Sequence, residues 1–203
     1  ARSARRGRQT RQPAPRACRC NTVVCRRPQA IEPAKNSPDD SLLERGPELA
    51  LLCDRIAALR GNAAGGACVL LSAEAGGGKT SLLAAAARRA GSDAQWLWGA
   101  CEPMLSPQPL GPLIDPLDRL PPSIGAAVRA GRHTPEVLAG MLELLRDSRQ
   151  PVVLAIDDVQ WADGATLDLL RYLGRRIEGT RALLVLSYRS EALAGDHPLQ
   201  GVL

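Results

Sequence analysis

Phenylalanine is missing from this 203-residue chain, and aromatic side chains amount to only 2% of it. Three tryptophans and two tyrosines are all there is, so a core must rest on Leu, Val, Ile and Ala. Long hydrophobic runs are missing too. The longest, such as Val152–Ile156, fall far short of the roughly 20 residues that cross a bilayer. No apolar signal-peptide core stands near the start. A membrane partner is therefore excluded on this reading, and a cytoplasmic location is expected. Histidine is nearly absent: His133 and His197 are isolated, so no Ser-His-Asp or Cys-His catalytic constellation is legible. Lysine is scarcer than its charge suggests. Of 26 basic residues only Lys35 and Lys79 are lysine.

What remains is ordinary for a globular chain. Hydrophobic residues make up 45% and charged residues 23%, which excludes wholesale disorder, collagen and coiled coil. Charge is unevenly placed. Residues 1–40 hold ten basic and three acidic side chains, a surplus of +7, whereas the whole chain carries +5. The basicity thus belongs to an Arg- and Pro-rich tail without periodicity, expected to be disordered. Such a tail can bind nucleic acid or an anionic surface nonspecifically. It has no aromatic to stack on a base, and Arg replaces Lys throughout the chain. Cys18, Cys20 and Cys25 form C-x-C-x4-C in that tail, with no His nearby to complete a zinc set. Cys53, Cys68 and Cys101 lie among small or apolar residues and read as reduced core thiols, as in a cytosolic protein.

From residue 41 onward apolar patterning takes over. Leu49, Leu52, Ile56 and Leu59 recur at helical spacing over Pro47–Leu59. Ala67–Ser72 is a short apolar run without alternation, the pattern of a strand buried on both faces. Lys79–Ala90 is an Ala- and Leu-rich helix closed by Arg88, Arg89 and Gly91. Trp96–Gly99 is a second strand. Seven prolines between Pro103 and Pro122 forbid one regular element there. Thr134 with Pro135 opens a helix to about Asp147. Val152–Ile156 and Ala182–Tyr188 are further strands, with a helix from Asp163 or Gly164 through Arg176 between them. Alternation of wholly apolar strands with helices predicts an α/β fold: a parallel sheet sandwiched by helices.

The strongest chemical signal is Ala73-Glu74-Ala75-Gly76-Gly77-Gly78-Lys79-Thr80, which follows one of those strands and opens a helix. It matches the phosphate-binding spacing G-x-x-x-x-G-K-[ST], with Ala at the first glycine. A triphosphate needs several backbone N–H groups converging on its oxygens, and Gly76, Gly77 and Gly78 let the chain come close. Ala75 and Ser81 flank that cradle, and the helix N-terminus adds its positive end. Lys79 offers a mobile cation to the β- and γ-phosphates, and the Thr80 hydroxyl a ligand for Mg²⁺. Asp157 and Asp158 end the run Val152–Ile156, at the carboxyl edge where open α/β sheets bind ligands. Asp157 is the expected second Mg²⁺ holder, through water, and Asp158 the group that orients or deprotonates an attacking water. Arg189, closing Ser187-Tyr188-Arg189, emerges at the same edge, where it can sense a γ-phosphate. Trp161 reads as packing.

Taken together, these stretches resemble a known family. Leu42-Leu43-Glu44-Arg45-Gly46-Pro47-Glu48-Leu49 resembles the segment that opens many AAA-type and STAND signal-transduction ATPases, where Gly-Arg-x-x-Glu-Leu is usual. Asp157-Asp158-Val159-Gln160-Trp161-Ala162-Asp163 and the following Thr166–Leu170 are similar to the family's Walker B stretch. Leu183–Arg189 and His197-Pro198-Leu199 resemble its next strand and loop. The resemblance runs from 41 to 203 and is closest to the ATPase module of large LuxR-type transcriptional regulators and of cyclase-linked regulators. It implies a P-loop NTPase domain at 41–203 with ATP and Mg²⁺ as its ligands, ATP or ADP bound according to state, and Arg45 near the adenine. It also implies further domains of a longer chain, a DNA-binding one among them, and ATP-dependent self-association. This sequence departs from the family in Glu44, which replaces the usual Gly, and in Asp158, which replaces the usual Glu. The family's fifth strand, beyond the Arg189 region, is not found, so the domain reads as truncated, with Ala67–Ser72 an unpaired edge. Three other readings stay open: nucleotide binding without turnover, a DNA-associated AAA-type ATPase anchored by the basic tail, and a small-molecule kinase.

Overall fold

Four of the apolar runs become neighbouring strands of one parallel sheet, and the helices between them cover its two faces. The computed structural model describes residues 20–24 (as backbone), 45–61 and 65–193. In chain order the elements are β1 (Cys20–Val24), α1 (Gly46–Ala58), β2 (Ala67–Ala73), α2 (Lys79–Ala90), β3 (Gln95–Ala100), α3 (Pro122–Arg129), α4 (Pro135–Asp147), β4 (Val152–Asp157), α5 (Gly164–Gly174) and β5 (Ala182–Arg189). The strand order is β1-β2-β5-β4-β3, and every pairing is parallel.

Why the runs lack alternation is visible in the packing. Val69 and Leu71 of β2, Val153 and Ala155 of β4, and Leu183 and Val185 of β5 pack with Leu49, Leu52 and Ile56 of α1 and Leu82 and Leu83 of α2. Their neighbours Leu70, Leu154, Ile156, Leu184 and Leu186 point the other way, onto Ile124 and Val128 of α3, Met141 and Leu145 of α4, and Leu170 and Leu173 of α5. Successive side chains of a strand face opposite sides. With both sides covered, every position is apolar and the period-two signal disappears.

The sequence boundaries differ from the observed ones by a residue or two, as helix and strand ends do. Three differences go further. First, the expectation of an irregular tail does not hold for Cys20–Val24, which pairs with β2 in register from Cys20 with Cys68 to Val24 with Ser72. Thr22, Val23 and Val24 are β-branched residues suited to a strand, but Arg and Pro around them mask that signal. β2 is therefore an interior strand, and its outer neighbour comes from the amino-terminal side. Second, the proline-rich stretch is no single regular element, as expected, but a helix missed in the sequence, α3, starts at its last residue. Pro122 takes the first position of α3, where its missing N–H costs nothing. Pro112 sits in a 3₁₀ turn, Gly111–Leu113, packed against β3. Third, Trp161 is 45% exposed rather than packed away.

Expectations about residues 1–19, 25–44 and 194–203 lie outside the described residues. These include Cys18, Cys25, the Leu42–Glu44 part of the opening segment, and His197-Pro198-Leu199. Among the described residues Cys53, Cys68 and Cys101 are not in disulfides, the last two being buried, and no helix is long and apolar enough to cross a membrane.

Candidate functional site

All strands run the same way, so their carboxyl ends share one edge, and the chemistry-bearing residues collect there. β2 passes into a five-residue loop, 74–78, that leads straight into α2. Gly76 and Gly78 take φ of +71° and +70°, the left-handed region that a side chain disfavours. A Cβ on Gly77 would lie 2.8 Å from both the Ala73 Cβ and the Glu74 carbonyl oxygen. Ala73, which replaces the first glycine of the motif, is an ordinary strand residue paired with Arg189, and its φ is not positive. The substitution therefore carries no backbone strain.

Lys79 is buried and folds back over the loop, its Nζ 3.3 Å from the Ala73 carbonyl and 3.4 Å from that of Glu74. These are long bonds for an ammonium group. The Thr80 hydroxyl donates to Asp157 Oδ2 at 2.6 Å across 77 residues of sequence. Asp157 is itself 8% exposed. Its Oδ1 accepts from the fully buried Ser187 hydroxyl and, at 3.1 Å, from the Asp158 backbone N–H. Asp158 stands at φ +52°, one of two non-glycine residues in the left-handed region among those described. Gln160 Nε2 donates to Asp158 Oδ1 at 2.9 Å, and Arg189 Nε lies 3.9 Å from the same oxygen.

Of the residues singled out by sequence, Ala75, Gly76, Gly77, Gly78, Lys79, Thr80, Ser81, Asp157, Asp158 and Arg189 line one cavity of about 290 Å³. Arg45 does not line it. Its guanidinium lies 3.7 Å from where a Cβ of Gly78 would stand, at the flank of the loop. Arg45 is 7% exposed, and its Nη1 is buried without a hydrogen-bond partner. An orphaned buried donor is costly, and one beside a phosphate-type loop suits an anionic ligand. Glu48 Oε2, one turn along α1, is likewise buried without a partner.

Three contacts were not legible in the sequence: Ser187 on Asp157, Gln160 on Asp158, and Glu191. The Glu191 carboxyl is held below the usual carboxylate range, first by its own backbone N–H, then by the Ser190 hydroxyl, with the Ala75 amide and Lys79 adding. Each depends on register between strands or on the turn after one, which no local motif encodes.

The donor set fits a hard, oxygen-seeking cation better than a soft one. Among the described residues no group of three or more His, Cys, Asp or Glu is placed to hold a metal ion by itself. The Thr80 hydroxyl and the Asp157 carboxylate share a short hydrogen bond at the loop's end, a small set of the kind Mg²⁺ uses with water and phosphate oxygens.

The sequence model of a family described as an AAA ATPase domain matches residues 41–186. A comparison with curated proteins gives no match. Among solved structures, a chain from Drosophila ORC bound to DNA is similar over 81% of this chain and 87% of its own, at 16% identity and a TM-score of 0.42. C. elegans PCH-2 is similar over 76% of this chain at 15% identity and a TM-score of 0.41, and this chain spans only 40% of its length.

Proposed function

The chain belongs to the AAA ATPase domain family, and from that premise we propose that residues 41–203 bind Mg-ATP and hydrolyse it slowly, as the regulatory module of a signal-transduction or transcriptional regulator. The observation that carries this reading is the single cavity. The phosphate-type loop, both acids that end β4, and Arg189 from β5 border the same 290 Å³.

The roles follow from position. The amides of 75–80 and the α2 N-terminus face the phosphates. Lys79 leaves its long carbonyl contacts for the β- and γ-oxygens, which make stronger charge-assisted partners. Arg45 meets the nucleotide from the α1 side, which gives its Nη1 the partner it lacks. Thr80 and Asp157 hold Mg²⁺, Asp157 through water. The ion, when bound, neutralises charge developing on the phosphate oxygens. Asp158 orients the attacking water. As the water oxygen bonds to the γ-phosphorus and the β–γ bridging P–O bond breaks, Asp158 takes the proton. Arg189 contacts the γ-phosphate and so distinguishes ATP from ADP. A two-state element biased by that difference is how such a module signals. The regulatory role rests on the resemblance of 41–203 to the ATPase module of large LuxR-type regulators, and cysteines outside disulfides among the described residues favour a cytoplasmic setting.

The test is thermal unfolding of the full chain with Mg-ATP, Mg-ADP or Mg-GTP. A ligand at 100 times its Kd adds about 2.7 kcal/mol. At about 2–4 °C per kcal/mol for a chain of this size, Mg-ATP is expected to raise Tm by about 5–10 °C. Lys79→Ala is expected to abolish most of that rise. An unchanged Tm with every nucleotide would refute the reading.

A further inference from the structure

Gln160 is a buried side chain, 8% exposed, in the 3₁₀ turn Val159–Trp161 that follows the second acid. Both ends of its amide are engaged in the site. Nε2 donates to Asp158 Oδ1 at 2.9 Å, and Oε1 accepts from the Arg189 backbone N–H at 3.3 Å. The orientation of the amide follows from chemistry: a backbone N–H can only donate and an ionised carboxylate can only accept. Turning the amide over would set donor against donor and acceptor against acceptor. A side chain with one donor and one acceptor at this spacing is required, and glutamine is such a side chain.

The acid it touches has reason to be held. Asp158 lies in the left-handed region, at φ +52°, where a side chain other than glycine is strained. Such a conformation persists when its surroundings fix it. The Asp158 N–H is fixed by Asp157 Oδ1 and the Ser187 hydroxyl oxygen, at 3.1 and 3.2 Å. Its carboxylate is met by Gln160 at 2.9 Å and by Arg189 Nε at 3.9 Å, and both contacts fall on the same oxygen, Oδ1.

On the ATPase reading above, we infer that Gln160 is a positioning residue. Its amide ties the water-orienting carboxylate of Asp158 to the end of β5, so that the acid and the γ-phosphate-facing Arg189 are set by one bridge. Gln160 does not touch the reacting atoms, and it acts only through Asp158.

The bridge is tested first without nucleotide, by hydrogen exchange at the Arg189 amide in the 203-residue chain. Gln160→Leu is expected to speed that exchange at least tenfold. Asp158→Ala is expected to do the same, although Asp158 makes no bond to that amide. In the Gln160→Leu background, Asp158→Ala should add nothing. Turnover is then read with Mg-ATP. Gln160→Leu and Gln160→Glu are expected to lower kcat at least tenfold, with ATP affinity within twofold of the original. Gln160→His, whose neutral imidazole carries one donor and one acceptor, should recover at least a third of the turnover. Unchanged exchange in Gln160→Leu overturns the inference, and so does an unchanged kcat in a chain that hydrolyses ATP. Loss of ATP affinity in step with kcat also overturns it, because that is the signature of a structural role. An unsubstituted chain that releases no phosphate overturns both this inference and the hydrolytic reading; the unsubstituted chain is measured before any variant, so the two failures are told apart.

Discussion

A buried carboxylate needs donors, and at Asp157 three converge: the Thr80 hydroxyl, the Ser187 hydroxyl and the Asp158 N–H. Asp158, one residue on, is a third exposed at its side chain and faces the cavity. Their substitutions should therefore separate binding from turnover. Asp158→Asn keeps the shape and the Gln160 contact oxygen but cannot take a proton. ATP affinity is expected to persist while phosphate release stops, and unchanged release would show that another group assists the water. The same acids act on a neighbour. The Cys101 thiol is pushed up to about 12, mainly by burial, then by Asp163, Asp158 and Asp157. A group raised in the folded state stays neutral there while its unfolded counterpart ionises above about pH 9. Its contribution is complete below pH 9 and is lost as pH rises toward 12. Iodoacetamide at pH 9 should therefore leave Cys101 unmodified in the native protein and alkylate the part-exposed Cys53, as read by peptide mass mapping.

At the level of elements, the Gly111–Leu113 turn lies tight against β3 at Gly99. A Cβ on Gly99 would fall 1.7 Å from the Pro112 carbonyl oxygen, which is backbone and cannot swing aside. Gly99→Ala must push the turn off the strand. It is expected to cost about 3 kcal/mol, a fall in Tm of about 6–12 °C. A midpoint within 2 °C, roughly the noise of such a small ΔΔG, would mean the turn is not packed there. The strands β2, β4 and β5 and the helix α2 were legible because continuous apolar runs, the glycine loop and closing arginines are local signals. The helix α3 was not. Seven prolines between Pro103 and Pro122 read as a breaker throughout, yet Pro122 breaks nothing at a first helical position. Thr134 does stand at the N-cap of α4 ahead of Pro135, as its residue type suggested, but its side chain makes no cap bond, whereas Asp163 caps α5 by accepting from the Thr166 N–H at 3.0 Å.

For the molecule as a whole, the candidate site was more legible than the sheet that carries it. Loop and acids are contiguous motifs, and parallel strands bring contiguous motifs to one edge whatever their order. Sheet edges are different, because pairing depends on residues far apart and on composition that a basic segment conceals. β1 is the case in point. Its Cys20 pairs with Cys68, 48 residues further along the chain. β1 covers the backbone groups of the strand that feeds the phosphate-type loop. Removing residues 1–24 leaves the N–H and C=O row of Cys68–Ser72 without its β1 partner, and a strand edge of Val and Leu invites pairing with another chain. The shortened protein is expected to associate at concentrations on the order of 10 µM, by light scattering, while the full chain associates less. Its Tm should fall, and Mg-ATP should recover part of the loss, because the cavity residues all lie after the deletion. A shortened chain with the same state of association and Tm as the full one would show that β1 shields nothing, and that β2 tolerates an open edge on its own.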